Sequence, residues 1–201
     1  AAATYGIDKA IFGYGNSGSR TGITNLVNSS GVVAADTAGV GTAREYLAAA
    51  KYGGDKALFA YGNTGSLSSL KNLVSNTGVV AADVTGVGTA RKNLAAATYG
   101  LDKALFGFGT TGTRTGITNL VSNSGVVATD TAGVGTAREY LAAATYGGDK
   151  ALFAYGNTGS LSSLKNLVNS SGTVASDVSG VGTARYLLWF YRSSNIWIWL
   201  Y

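Results

Sequence analysis

The sequence predicts an all-β repeat protein, and three observations carry that expectation. One 47-residue module recurs four times. Each copy alternates short β-prone segments with Gly-, Asn- and Asp-rich turns. The 201 residues contain 30 glycines and no proline, and only 12% are charged, about half the usual share of roughly 25%.

The repeat is legible as columns. Asp8, Asp55, Asp102 and Asp149, each followed by Lys-Ala and an aliphatic-Phe pair, stand 47 residues apart. Arg44, Arg91, Arg138 and Arg185 each end the string Gly-Val-Gly-Thr-Ala-Arg and keep the same step, as do Asn25, Asn72, Asn119 and Asn166. A longer period lies on top. The first and third copies share Arg-Thr-Gly-Ile-Thr-Asn-Leu from Arg20 and Arg114; the second and fourth share Ser-Leu-Ser-Ser-Leu-Lys-Asn-Leu from Ser66 and Ser160. The modules therefore alternate ABAB with a 94-residue double repeat.

Within the second copy the pattern predicts four strands: 43–52, Lys56 to Tyr61, Leu70 to Val74 and Val79 to Val84. Gly53-Gly54-Asp55, Gly62-Asn63-Thr64-Gly65 and Ser75-Asn76-Thr77-Gly78 are the turns between them. Four short strands in one module match a β-propeller blade. The expected architecture is a β-propeller of four blades, each of four antiparallel strands, over 1–188 (blades about 1–47, 48–94, 95–141 and 142–188), with an aberrant Trp-rich strand at 189–201. An α/β repeat with one short helix per unit is the alternative. Thr42-Ala-Arg-Glu45 has capping-box form, the Ala run favours helix and Gly53 is a suitable stop.

Composition excludes several chemistries. With no His and no Cys, Ser-His-Asp catalysis, thiolate catalysis, disulfides and imidazole or thiolate metal sites are impossible. All ten acids fall in three columns: Asp8/55/102/149, Asp36/83/130/177 and Glu45/139. An active site needs an asymmetric constellation, so no enzyme, catalytic residue, metal or cofactor is expected. The net charge of +5 comes from dispersed basic residues, so a nucleic-acid partner is not expected. No apolar run of about 20 residues predicts a transmembrane segment.

The module resembles a kelch-type blade. Arg44, Ala48-Ala49-Ala50, Gly53-Gly54 and Lys56-Ala-Leu-Phe-Ala-Tyr-Gly62 occupy the places of the kelch first strand, turn and second strand, in all four copies. Two features depart from that pattern: a single Gly62 replaces the double glycine, and the later tryptophan is missing. The resemblance implies a propeller. The Asp-Lys-Ala-Ile-Phe-Gly-Tyr-Gly arrays are also similar to repeat regions of bacteriophage tail-fibre or surface proteins, which implies host attachment and a location on a virion surface or outside the cell.

Candidate binding residues lie in the loops 16–20, 63–66, 110–114 and 157–160. There Asn16, Arg20, Asn63, Thr110, Arg114 and Asn157 have hydroxyl, amide and guanidinium groups suited to a glycan, and equally to plain turns. Arg44, Arg91, Arg138 and Arg185 would form a ring about a propeller channel, or else a ladder of Asp–Arg pairs between blades. Phe12, Phe59, Phe106 and Phe153 are expected in the inter-blade core, and the Asp-Lys pairs at solvated hairpin turns.

The tail breaks the pattern. All three tryptophans lie in 186–201, and Asn195-Ile-Trp-Ile-Trp199 is what a one-base shift of codons for Ile-Phe-Gly-Tyr-Gly would encode. As an apolar edge strand it would close the ring or recruit a second chain through Trp197 and Trp199. The expected function is thus a non-catalytic binding or structural module for a glycan or cell-surface ligand. The alternative is a self-assembling protomer joined through its C-terminal strand.

Overall fold

The computed structural model describes residues 1–186. The expectations for Trp197, Trp199 and the rest of the tail lie outside the described residues. The described residues form twelve strands in four three-stranded antiparallel sheets and no helix. The first sheet contains β1 (Ala2–Tyr5), β2 (Lys9–Asn16) and β3 (Arg20–Val27); the second β4 (Ala48–Tyr52), β5 (Lys56–Ala60) and β6 (Lys71–Val74). The third contains β7 (Ala95–Tyr99), β8 (Lys103–Gly107) and β9 (Thr118–Val121); the fourth β10 (Ala142–Tyr146), β11 (Lys150–Ala154) and β12 (Lys165–Val168). No helix among the described residues is long and apolar enough to cross a membrane.

The segment with helix-like composition is a strand. In β4, Ala48, Ala50 and Tyr52 are buried while Ala49 and Lys51 are half-buried, the two-residue period of a pleat. Small alanines let first strands of successive units approach: β1 lies against β4, β4 against β7 and β7 against β10. The Thr98 and Thr145 hydroxyls donate to the Lys51 and Thr98 carbonyls across these contacts, each at 2.9 Å. The capping-box carboxylate of Glu45 is engaged elsewhere, by Asn16 and Arg20. Gly53 and Gly54, with φ of 60° and 79°, supply the left-handed turn that pairs Tyr52 with Lys56.

The expected fourth strand of each unit is not formed as a strand. Residues 79–84 pair with β6 through two isolated bridges, Val74 with Val80 and Lys71 with Val84, and through the Asn72 side chain, which donates to the Ala81 carbonyl and to Asp83. Val79 is 66% exposed, and beyond Ala81 the chain turns so that the Asp83 carboxylate reaches the neighbouring unit. Backbone pairing yields there to a side-chain contact between units.

The units stack in sequence order. Phe59, Phe106 and Phe153 are fully buried against the preceding unit, and each rests on an aromatic ring of it: Phe59 on Tyr14 at 5.2 Å, Phe106 on Tyr61 at 5.5 Å, Phe153 on Phe108 at 5.1 Å. Tyr5, Tyr52 and Tyr99 are buried against the following unit. Among the described residues no corresponding stack joins the fourth unit to the first. Phe12, expected in the core, is 50% exposed, and Tyr146 is 37% exposed where its three counterparts are at 3%. Residue type is the same in each column; only the presence of a neighbour differs.

Candidate functional site

Each junction between units is built around one arginine. Arg44, Arg91 and Arg138 are fully buried. Each guanidinium lies over an aromatic ring of its own unit: Arg44 over Tyr14 at 4.4 Å, Arg91 over Tyr61 at 4.1 Å, Arg138 over Phe108 at 4.2 Å. Its polar edge then reaches the next unit. Arg44 Nη2 donates to Asn72 Oδ1 at 2.5 Å and Nη1 lies 3.3 Å from Asp83 Oδ1. Arg138 repeats this with Asn166 at 2.5 Å and Asp177 at 3.5 Å. Arg91 instead donates from Nε to the Phe108 carbonyl at 3.0 Å.

The aromatic residues under these arginines take an unusual backbone conformation. Tyr14, Tyr61, Phe108 and Tyr155 have φ between 60° and 67°, a strained region for a bulky side chain. Tyr46, Asn93 and Tyr140 form a second such column with φ of 56–57°, so the conformation belongs to the backbone path of the repeat. The glycine of each Gly-Thr-Ala-Arg string leaves room for the cluster. A Cβ on Gly135 would stand 2.5 Å from Asp177 Oδ1 and 2.6 Å from Asn166 Nδ2.

The electrostatics follow from this packing. Burial lowers the pKa of Arg44, Arg91 and Arg138, and nearby Asp83, Asp130 and Asp177 respectively oppose that effect. Burial pushes the Asp83, Asp130 and Asp177 carboxyls up, but hydrogen bonds outweigh it and hold all three below the usual carboxylate range. Those bonds come from Thr42, Thr89 and Thr136 and from Asn72, Asn119 and Asn166. Buried guanidiniums cannot line an open channel. Of the two expected arrangements, a channel ring or a ladder between units, Arg44, Arg91 and Arg138 have the geometry of the second, one desolvated arginine per junction. Arg185 stacks on Tyr155 at 3.6 Å but remains exposed at the end of the stack.

The loop candidates divide into two groups. Asn16 and Arg20 are bound to the Glu45 carboxylate at 2.8 and 3.1 Å, and Arg114 is paired with Glu139 at 3.4 Å. Asn157 accepts a bond from the Gly159 amide at 2.7 Å within its own turn. Asn63 accepts the same bond from the Gly65 amide at 2.7 Å, and it and Thr110 are brought together. With Gly65, Ser66, Leu67, Lys92 and Gly112 they line an open groove of about 370 Å³ between the second and third units.

Lys92 was not singled out from the sequence, although a signal is present. It is the charge reversal in a column that reads Glu45, Lys92, Glu139. At the first and third junctions the acid of that column binds the arginine of the preceding loop. At the second junction the column carries a lysine and the preceding loop carries Leu67 in place of arginine. The rim there offers amide, hydroxyl and ammonium groups. Among the described residues no three acidic side chains converge as metal ligands would. Compared with protein-family models and with curated proteins, the chain matches none.

Proposed function

We propose that this chain is a non-catalytic binding module, an arc of propeller-type blades whose loop rim takes a glycan or similar cell-surface ligand. Host-surface attachment is the role that fits it. Sheets stacked face to face with their first strands adjacent are what blades around an axis require. Three strands and two outer bridges make up each blade. The absence of His and Cys supports a role without catalysis.

The observation that carries the reading is the groove between the second and third units. Its polar groups suit the hydroxyls of a sugar, and the Lys92 ammonium favours a sugar bearing a carboxylate or sulfate. A glycan array probed with the whole chain and with Lys92→Glu tests this. Glutamate is native at the two equivalent positions, so the fold should tolerate it. Binding of acidic glycans by the parent and its loss in Lys92→Glu is the expected result. No glycan bound, or equal binding by both proteins, refutes the reading.

A further inference from the structure

The two ends of the stack are the two halves of a junction that the chain already contains three times. At the fourth unit, Arg185 lies over Tyr155 as its counterparts do over their rings, yet it is exposed and donates only to the Thr183 carbonyl, at 3.3 Å, among the described residues. At the first unit, Asn25 donates to Asp36 at 2.8 Å, the bond that Asn72, Asn119 and Asn166 make to their aspartates at 2.9 Å. Among the described residues no arginine or threonine reaches this pair. Among the described residues, one end presents a guanidinium without its carboxylate and the other the carboxylate without its guanidinium.

The apolar surfaces match in the same way. Tyr52 and Leu73 close over Gly125 so tightly that a Cβ there would meet them at 2.9 and 3.0 Å. Their counterparts Tyr146 and Leu167 are each 37% exposed, and a Cβ on Gly31 would meet nothing within 4 Å. The alternation also matches. A fourth unit followed by a first unit has the same B-to-A order as the second followed by the third. In that junction Lys71 Nζ donates to the Gly125 carbonyl at 2.8 Å, and Lys165 and Gly31 stand ready to repeat it.

From these half-junctions we infer that the chain associates head to tail with a second copy of itself, the free face of the fourth unit seating on the free face of the first. Arg185 then donates to the Tyr14 carbonyl beside Asp36, as Arg91 donates to the Phe108 carbonyl beside Asp130, and Phe12 is buried against Tyr155. The contact is heterologous, so it either closes into a ring or extends, according to the rotation between units. It is independent of any ligand in the groove.

The test is sedimentation velocity of the whole chain over a range of concentrations, with Phe12→Glu and Arg185→Glu. Both positions are exposed, and circular dichroism checks that each variant keeps its sheets. The expected result is a mass that rises above 20.3 kDa with concentration for the parent, and a single-chain species for each variant alone. An equal mixture of the variants should give a two-chain species and nothing larger, because each supplies the one intact face that the other lacks. A parent that stays at 20.3 kDa throughout overturns the inference. So does a variant that associates like the parent, as it would if residues 187–201 made the contact, or a mixture that stays single-chain.

Discussion

Replacing Arg138 and Arg185 in turn by alanine sets one residue type, in one sequence string, against itself. Both end Gly-Val-Gly-Thr-Ala-Arg and both lie on an aromatic ring. Arg138 is fully buried, bonded to Asn166 and paired with Asp177, whose side chain is 24% exposed. Its removal leaves a cavity over Phe108 and a half-desolvated carboxylate without a counter-charge. Breaking a buried pair in this way costs about 3–5 kcal/mol. At about 2–4 °C per kcal/mol for a domain of this size, Arg138→Ala should lower the melting temperature by roughly 6–20 °C. Arg185 has solvent beside it, so Arg185→Ala should cost less than about 1 kcal/mol. Thermal melts followed by far-UV circular dichroism, at concentrations where the chain is single, give the comparison. Equal shifts for the two variants would refute the idea that the junction arginines owe their effect to the following unit.

Two further outcomes follow from the same clusters. Gly135→Ala forces a methyl group into the Asp177–Asn166 contact and should cost about 1–3 kcal/mol, whereas at Gly182 a Cβ meets nothing closer than the Tyr155 hydroxyl at 3.0 Å and Gly182→Ala should be milder; paired thermal melts compare them. Asp83, Asp130 and Asp177 have folded pKa values below the unfolded value of about 3.9, so their stabilisation is present above that pH and is lost as pH falls through the folded values. Melting temperatures taken from pH 5 downward should fall most steeply below about pH 4, and Asp177→Asn should flatten part of that fall; an unchanged acid profile in that variant would contradict the assignment.

The sequence displays the repeat openly, because periodic columns need no structure to be seen. The hairpins are legible for the same reason: Gly53-Gly54-Asp55 and the flanking β-prone residues agree, and the strand pair Tyr52 to Lys56 forms around them. The helix-like run Leu47–Ala50 misleads because alanine serves two ends. In isolation it favours helix; here it lets strands of neighbouring units come close. The fourth strand fails because Asp83 is needed across the junction, a demand invisible within one module.

Arginine's role was harder to read. Asp36 stands only a short connection before Arg44 in sequence, yet the carboxylate beside Arg44 is that of Asp83, 39 residues on. Nothing within a 47-residue window distinguishes the two. The difference between Phe12 and its three buried counterparts is likewise a property of neighbours rather than of residue type. The rim groove was half legible. Asn63 and Thr110 follow from loop composition, while Lys92 needed the Glu45–Lys92–Glu139 column to be read for its change of sign.

The stacking order is tested most directly by amide hydrogen exchange at four equivalent glycines, followed by NMR on the single chain. Gly6, Gly53 and Gly100 donate their amides to the Asp55, Asp102 and Asp149 carbonyls of the following unit, each at 2.7 Å. Among the described residues no unit follows that of Gly147, and no backbone acceptor for its amide is found. Slow exchange at the first three and fast exchange at Gly147 is the expected result. Protection of Gly147 equal to that of Gly100 would mean that the fourth unit is covered as the others are, and would contradict a consecutive stack with two open, complementary ends.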